Sequence, residues 1–395
     1  MSLDTPNLSV EELGVSDAGR ALASRSVSFR ENISGWTPFH EPSYLSLWER
    51  VLGPRTGCRI VVAWDGSGNL AAYAPLMRVR GWIGPVPVPT LRFIGNNIGL
   101  PGDILHAQVF ATAGETAAVG AILAHVAATW SLGKWELGYL SPSSPTWLAA
   151  SEILGDGFVT PSTHTSVPYV SVNLPPDWDT YFASLSSNTR NVYRRGLGRL
   201  ESLGQVKVVV DESPERARRR VEELIRNHLH WLADTEREGW LGDEAVRRFL
   251  ASSSELLARD GEFLASALEL DGMPIAWIVG PIYGGTCFEH LSSFDRTYSY
   301  GSPGLVLGLE LMRELIRRDF RRVDLGPGSN LFKTRLGGVE KPHVRALGYQ
   351  GWTRRAAFVQ ELFHRRRPSG PSGGGEPVGG ATRDTGLRAR SPVRR

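Results

Sequence analysis

The spacing of apolar and polar positions changes period along this chain, and each change marks an element. In "SYGSPGLVLGLELMRELIRR", Ser299–Arg318, the residues Leu305, Leu309, Met312 and Ile316 recur at helical spacing. Glu310, Arg313, Glu314 and Arg317 fall elsewhere on the wheel. Ser302 at the N-cap and Pro303 at the first helical position predict the helix start. Upstream, "EFLASALEL", "MPIAWIVGPIY" and "TCFEHLSSFD" are separated by Asp271-Gly272 and Gly284-Gly285. Such turn pairs between apolar runs predict an antiparallel meander. "VKVVV" predicts a strand before it, and Ser213-Pro214 and Asp243 open two helices. After the capped helix come a strand and loop in "RRVDLGPG", a short helix in "NLFKTRLGG" and a last strand in "HVRALGYQGW".

The first half reads in a similar order. "CRIVVAWDGSGNLAAYAPLMRVR" predicts a hairpin, "LRFIGNN" a strand and "ATAGETAAVGAILAHVAATW" a helix. "KWELGYL" then predicts a strand and "SPTWLAASEIL" a helix, so the core order repeats while the residues show no visible repeat. Between the halves, "SLSSNTRNVYRRGLGRLES" predicts an amphipathic helix. Its Val192, Tyr193, Leu197, Leu200 and Leu203 cluster against Arg190, Arg194, Arg195 and Arg199. Those arginines are either a solvated face or a phosphate contact.

Composition narrows the class. The 395 residues suffice for two to three domains, and a formal net charge of +3 gives no pull towards DNA. Two cysteines argue against a disulfide framework or a cysteine-built zinc site, and His228 and His230, two apart on a helix, share no face. No metal site is expected. The N-terminus lacks a basic start and an apolar core, and no apolar run reaches the ~18 residues of a membrane span. The expected location is cytoplasmic. Residues 367–395, "PSGPSGGGEPVGG" onward with many arginines, predict a disordered tail, either a plain solvated extension or a peripheral contact with anionic lipid or RNA.

The glycines around Ser302-Pro303 allow close backbone approach, and a helix start attracts phosphate. This order of elements, with such a helix start after the fourth strand, resembles the GNAT acyltransferases. "FHEPSYLSLWERVLG", "LAAYAPLMRVR", "LRFIGNNIG..GDIL", "YFASLSSNTRNVYRRGLGRLESLG", "LELDGMPIAWIVG", "SSFDRTYSYGSPGLVLGLELM" and "VDLGPGSNLFKTRLGG" follow one another as in the CelD-type GNAT-related acetyltransferases. Those bacterial proteins are linked to cellulose and other exopolysaccharides. The chain is also similar to the Fem-type peptidyltransferases of peptidoglycan cross-bridges. The resemblance runs from about Phe39 to Trp352.

That resemblance implies an α/β fold with an α+β mixed sheet, built as two tandem GNAT-like domains. Residues 1–165 would form an acceptor-side domain with a degenerate donor site, and 166–366 a domain holding the acyl donor. It also implies acetyl-CoA or another acyl-CoA as co-substrate, its thioester arm lying where Thr286–Ser293 and Arg321–Leu325 splay apart. The pyrophosphate would sit on Gly301, Ser302, Pro303, Gly304 and Leu305. Pro303 has no N–H, so donation falls to Gly304, Leu305 and their neighbours. Ser302's hydroxyl either caps the helix or touches a phosphate. The usual GNAT loop begins with Gln or Arg and closes on Gly or Ala, whereas Tyr298 and Pro303 stand nearest those places here. Arg190 and Arg194 become candidates for a donor phosphate.

Acyl transfer needs alignment, a proton acceptor and donors to the developing oxyanion. His290, with an ordinary pKa near ~6.5, and its neighbour Glu289 are the candidate bases. Strand alternation lets only one line the cleft and favours neither. Asp324 and Lys333 match the family's "D-x-x-x-G...K" stretch and either orient the acceptor or form a structural salt bridge. The expected acceptor is an amine or hydroxyl on a small molecule, sugar or cell-envelope component. Two alternatives stand beside this reading: an aminoacyl-tRNA donor as in Fem-type enzymes, and a non-catalytic binding subunit. A groove plugged by Tyr298 or Tyr300 would favour the subunit.

Overall fold

The computed structural model describes residues 8–22, 30, 33, 35–53, 57–95, 108–112, 116–159, 166–232 and 240–355. The tail expected from 367 onward, and part of the "IGNNIG..GDIL" string, lie outside the described residues.

The predicted meander and hairpins of the two halves join in one mixed sheet. In the first half, β1 (Ser9–Leu13), β2 (Cys58–Trp64), β3 (Leu70–Ile83) and β4 (Val86–Phe93) are antiparallel neighbours. A short β5 (Phe110–Ala111) pairs with β3. Helices α1 (Val15–Leu22) and α2 (Pro42–Val51) precede β2. Next come α3 (Thr116–Thr129), β6 (Lys134–Leu140), α4 (Pro145–Leu154) and β7 (Phe158–Val159). Ala118, Ile122 and Val126 of α3 pack with Leu91, Phe93 and Leu137 of the sheet in one buried cluster.

The second half opens on a strand that the sequence pattern did not announce, β8 (Ser166–Asn173). It is followed by α5 (Trp178–Ser184), α6 (Ser187–Glu201), β9 (Val206–Asp211), α7 (Pro214–Leu232) and α8 (Glu244–Arg259). The meander comprises β10 (Phe263–Leu270), β11 (Met273–Tyr283), β12 (Thr286–Phe288) and β13 (Leu291–Phe294). The capped helix is α9 (Pro303–Arg317), then come β14 (Arg322–Pro327), α10 (Leu331–Arg335) and β15 (Val339–Tyr349).

The strand order is β1-β2-β3-β4-β6-β15-β8-β14-β12-β11-β10-β9, so the last described strand lies between the halves. It pairs with β6 on one side and β8 on the other. Among the described residues two pairs are parallel, β4 with β6 and β12 with β14. Each arises when a helix carries the chain from the end of a meander back to a strand beside it. The register aligns them closely: Thr90 faces Lys134 in the first half, and Thr286 faces Arg322 in the second. "KWELG" and "RVDLG" therefore occupy equivalent strands, a repeat that the sequence pattern alone did not bring out.

Helix α9 is buried beyond the one predicted face, with Val306, Leu307, Leu311 and Leu315 enclosed as well as Leu305, Leu309, Met312 and Ile316. Helix α6 covers its other side. A Cβ on Gly196 would meet the Gly301 carbonyl oxygen at 2.5 Å, so α6 passes too close to the turn before α9 for any side chain there.

Candidate active site

The fourth strand of the second half breaks in two, and that break builds the site. Strand β12 pairs parallel with β14 through Phe288 and Asp324, and the Glu289 N–H donates to the Asp324 carbonyl at 2.8 Å. The chain then turns onto β11, where the His290 N–H donates to the Val279 carbonyl at 3.0 Å. Ile282 faces Cys287 while Val279 faces Leu291, so the β12–β13 side carries one extra residue, a bulge. Gly280 opposite has room for no side chain, since a Cβ would lie 1.7 Å from the Phe288 carbonyl oxygen. Beyond the bulge β13 follows β11 and β14 follows β8, and the sheet opens.

Next to that opening is a cavity of about 520 Å³, mostly apolar, with Ser292, Ser293 and Phe294 of β13 in its lining. Ser302, Gly304 and Leu305 at the start of α9 form another part, and Asn330, Phe332 and Arg335 a third. His228 and Trp231 of α7 complete it. The 3-10 turn Arg296–Gly301 leads into α9, and Ser302 sits at the junction with φ 50° and ψ 49°. A non-glycine residue in this left-handed region stores strain of about 1–3 kcal/mol and clusters at functional sites. Ser302 is the N-cap by position, but its hydroxyl makes no capping hydrogen bond because this backbone does not aim it at the first-turn amides. The Leu305 and Val306 N–H groups donate to the Ser302 carbonyl at 3.0 Å. Pro303 has none, and the Gly304 N–H takes no acceptor among the described residues. Tyr298 is packed among the apolar residues of the second half and Tyr300 is exposed; neither lines the cavity.

The two candidate bases diverge at the bulge. His290 packs edge-on against Phe39 of the first half, ring centroids 5.3 Å apart, and burial pushes its pKa down to about 4. Glu289 turns the other way. Its carboxyl is hydrogen-bonded to the Ser292 side chain, and its Oε2 lies out of solvent contact with no hydrogen-bond partner among the described residues. Burial raises its pKa to about 7, against smaller lowering effects from the Ser292 bond and the Lys333 charge.

Asp324 and Lys333 both hold the loop after β14. The buried Asp324 accepts from the Gly326 N–H at 2.9 Å and from Arg322 at 3.1 Å. Lys333 Nζ donates to the carbonyls of Gly326, Pro327 and Gly328 at 3.3, 2.7 and 2.9 Å. Burial lowers the Lys333 pKa, while Glu289 and Asp324 act to raise it. In the first half the position equivalent to Asp324 is Glu136, buried among Arg92 at 3.0 Å, Arg345 at 3.2 Å and Lys134 at 3.7 Å.

The arginine helix faces elsewhere. Arg190 donates to the carbonyls of Ala183 and Leu185 at 2.8 and 2.5 Å, and the Arg194 guanidinium lies 5.3 Å over the Phe182 ring. Neither lines the cavity. Arg199 instead donates to the Tyr300 carbonyl at 2.7 Å, tying α6 to the turn before α9. Residues that sequence reasoning did not single out as site residues, Ser292, Trp231, Arg296 and Arg335, do line it. They come from three separate stretches of the sequence and carry no spacing signal.

Residues 187–334 match the family model described as an acetyltransferase (GNAT) domain. The fold is a GNAT fold. The chain is similar in structure to FemX, with a TM-score of 0.56 at 10% identity over 91% of this chain and 99% of that one. A conserved protein of unknown function from Bacteroides thetaiotaomicron VPI-5482 superposes with a TM-score of 0.53 at 11% identity, over 87% of this chain and 100% of the other. The C-terminal domain of a putative lysylphosphatidylglycerol synthetase from Agrobacterium fabrum gives 0.50 at 12% identity, over 87% and 96%. At such identities the likeness is one of fold. No curated protein matches the sequence. In the GNAT domain matched here, the opened sheet and the strained helix start border the same cavity. Among the described residues no helix is long and apolar enough to cross a membrane, and no three His, Cys, Asp or Glu side chains are grouped to hold a metal ion.

Proposed function

We propose that the protein transfers an acyl group from acyl-CoA to an amine or hydroxyl, with the donor held in the second half, residues 166–366, and the acceptor entering beside the first, residues 1–165. The observation that carries this reading is the cavity that joins the sheet opening to the free Gly304 N–H. Acyl-CoA, when bound, supplies an activated thioester from which the acyl group passes to the acceptor, with release of the CoA thiol. The chain supplies the rest. The Gly304 N–H and the Ser302 hydroxyl face the cavity as phosphate donors. The Asp295 N–H donates to the Ile275 carbonyl in the β11–β13 register, so antiparallel alternation directs the N–H groups of Ser292 and Phe294 to the open side, where they can orient the thioester arm. Glu289, with a pKa near neutrality, takes the acceptor's proton through Ser292. His290 is neutral and too weak a base for this, so its proposed part is packing against Phe39. Asp324 and Lys333 are positioning residues for the loop at the mouth.

The lining carries no carboxylate among the described residues. An aminoacyl donor would bring an α-ammonium group that no carboxylate of the described lining pairs, which favours an uncharged acyl group on CoA over the aminoacyl-tRNA alternative. A cavity that neither Tyr298 nor Tyr300 plugs supports an enzyme over a non-catalytic subunit. The string of CelD-like motifs supports a sugar or cell-envelope acceptor, and the CoA donor a cytoplasmic setting.

Calorimetric titration of the purified chain with CoA and acetyl-CoA tests the proposal. Gly304→Val should weaken binding by ~tenfold or more, equivalent to about 1.4 kcal/mol, with little change in the urea midpoint. A Cβ at Gly304 lies 3.4 Å from Phe294, an ordinary contact, so the fold tolerates it. Unchanged affinity, or no binding to the parent protein, refutes the cradle.

A further inference from the structure

The cavity carries charge of one sign. Arg296, Arg335 and His228 line it, and no aspartate or glutamate does among the described residues. Arg220, Arg313, Arg317 and Arg318 of the same half are all ion-paired. Arg296 and Arg335 form no ion pair among the described residues, and the Arg335 Nε is out of solvent contact without an acceptor. The carboxylate next in sequence, Asp295, accepts from the Thr297 N–H and caps the 3-10 turn. Two cations are thus presented to one cavity with no carboxylate paired to them among the described residues, an arrangement that favours an anionic occupant.

The two arginines belong to different walls. Arg335 is on α10, which packs against α9 so closely that a Cβ on Gly308 would meet Phe332 at 3.3 Å. It therefore belongs with the phosphate side. Arg296 belongs with α7. Its guanidinium lies 5.3 Å over the ring of Trp231. Trp231 Nε1 donates to Asn227 Oδ1 at 3.3 Å, and Asn227 Nδ2 donates to Ser293 Oγ at 2.8 Å. This chain of contacts ties Arg296 to α7 and, through Asn227, to β13. His228, one turn from Trp231, has its pKa lowered by burial and by the Arg296 charge, so it stays a neutral hydrogen-bonding group on the same wall.

We infer that the acceptor bears an anionic group, a phosphate or a carboxylate, beside its amine or hydroxyl, and that Arg296 reads it. This rests on the acyl-transfer reading and names the substrate class of that site. A cationic acceptor meets two unneutralised arginines and is rejected, while an anionic one gains a charge-assisted hydrogen bond from a guanidinium already held in place.

The test is calorimetry on the full chain saturated with CoA, so that the donor wall is filled. Two matched pairs serve as probes: glucose 6-phosphate against glucose, and lactate against lactamide. The anionic member of at least one pair should bind ~10-fold or more tightly than its neutral partner, the range expected for a hydrogen bond to a charged group. The pair that responds distinguishes phosphate from carboxylate. Arg296→Gln should erase the preference and Arg296→Lys retain part of it, with CoA affinity moved by less than about twofold (~0.4 kcal/mol). Equal binding within both pairs, binding by no probe, or a preference that survives Arg296→Gln overturns the inference. Failure of CoA itself to bind sinks the acyl-transfer reading instead. The same probes on the free protein and on Arg296→Gln then decide the anion question separately.

Discussion

Glu289 and His290 are neighbours in sequence with opposite electrostatic fates. Both are half-buried, and burial penalises whichever form is charged. The carboxyl is therefore pushed up to about 7 and the imidazole down to about 4. A carboxylate base works only when ionised, so activity should rise with pH through about 7, and Glu289→Gln should lower turnover by ~10² or more and flatten that limb. A transfer rate of the parent protein that is flat from pH 6 to 8 would remove Glu289 from the proposed role. Stability runs in the opposite sense. A raised folded pKa gives a contribution that is full below the unfolded value near 4.5 and is lost as pH rises through about 7. Urea midpoints across that window should fall less in Glu289→Gln than in the parent. For His290 the folded pKa is depressed, so its contribution is present above about 6.5 and lost as pH falls towards 4.

Among elements, the fit of α6 against the turn before α9 sets the shape of the helix start proposed as the donor cradle. Gly196 and Gly301 touch backbone to backbone, and a Cβ on Gly301 would meet Leu200 at 2.6 Å. Arg199 adds its hydrogen bond to Tyr300. Gly196→Ala should therefore push α6 off the turn, lowering stability by about 1–3 kcal/mol, as overpacking does, and weakening CoA binding with it. Gly304→Ala, in open contact distance of Phe294, should leave the urea midpoint nearly unchanged. Equal urea midpoints for the two variants would show that the α6 contact does not shape the cradle.

For the whole molecule, β15 is the strand on which both halves depend. Val344 faces Leu140 of β6 on one side and Ser166 of β8 on the other. A proline there removes a ladder donor in a central strand, a place where proline is poorly tolerated. Val344→Pro should lower hydrogen-exchange protection in β6 and in β14 together, as expected if the halves unfold as one unit. Protection lost from β6 alone would make the halves independent.

The local pattern determined the elements of the second half, because turn pairs, caps and helical spacing are short-range signals. The meander, α9 and its proline-capped start were all legible from a few adjacent residues each. So was the GNAT-type order. What lay beyond reach depended on pairing across long separations. β8 became a strand because β14 and β15 flank it, although its own alternation is interrupted by Pro168. The bulge that separates Glu289 from His290 came from a one-residue difference in register against β11, which strand alternation could not reveal. Arg190 and Arg194, which the sequence left as either a solvated face or a phosphate contact, lie against α5. Arg296 and Arg335, unmarked in the sequence, line the cavity because α7 and α10 converge there. Sequence fixes which side chains can carry charge, whereas the packing of distant elements decides which of those charges remain unpaired.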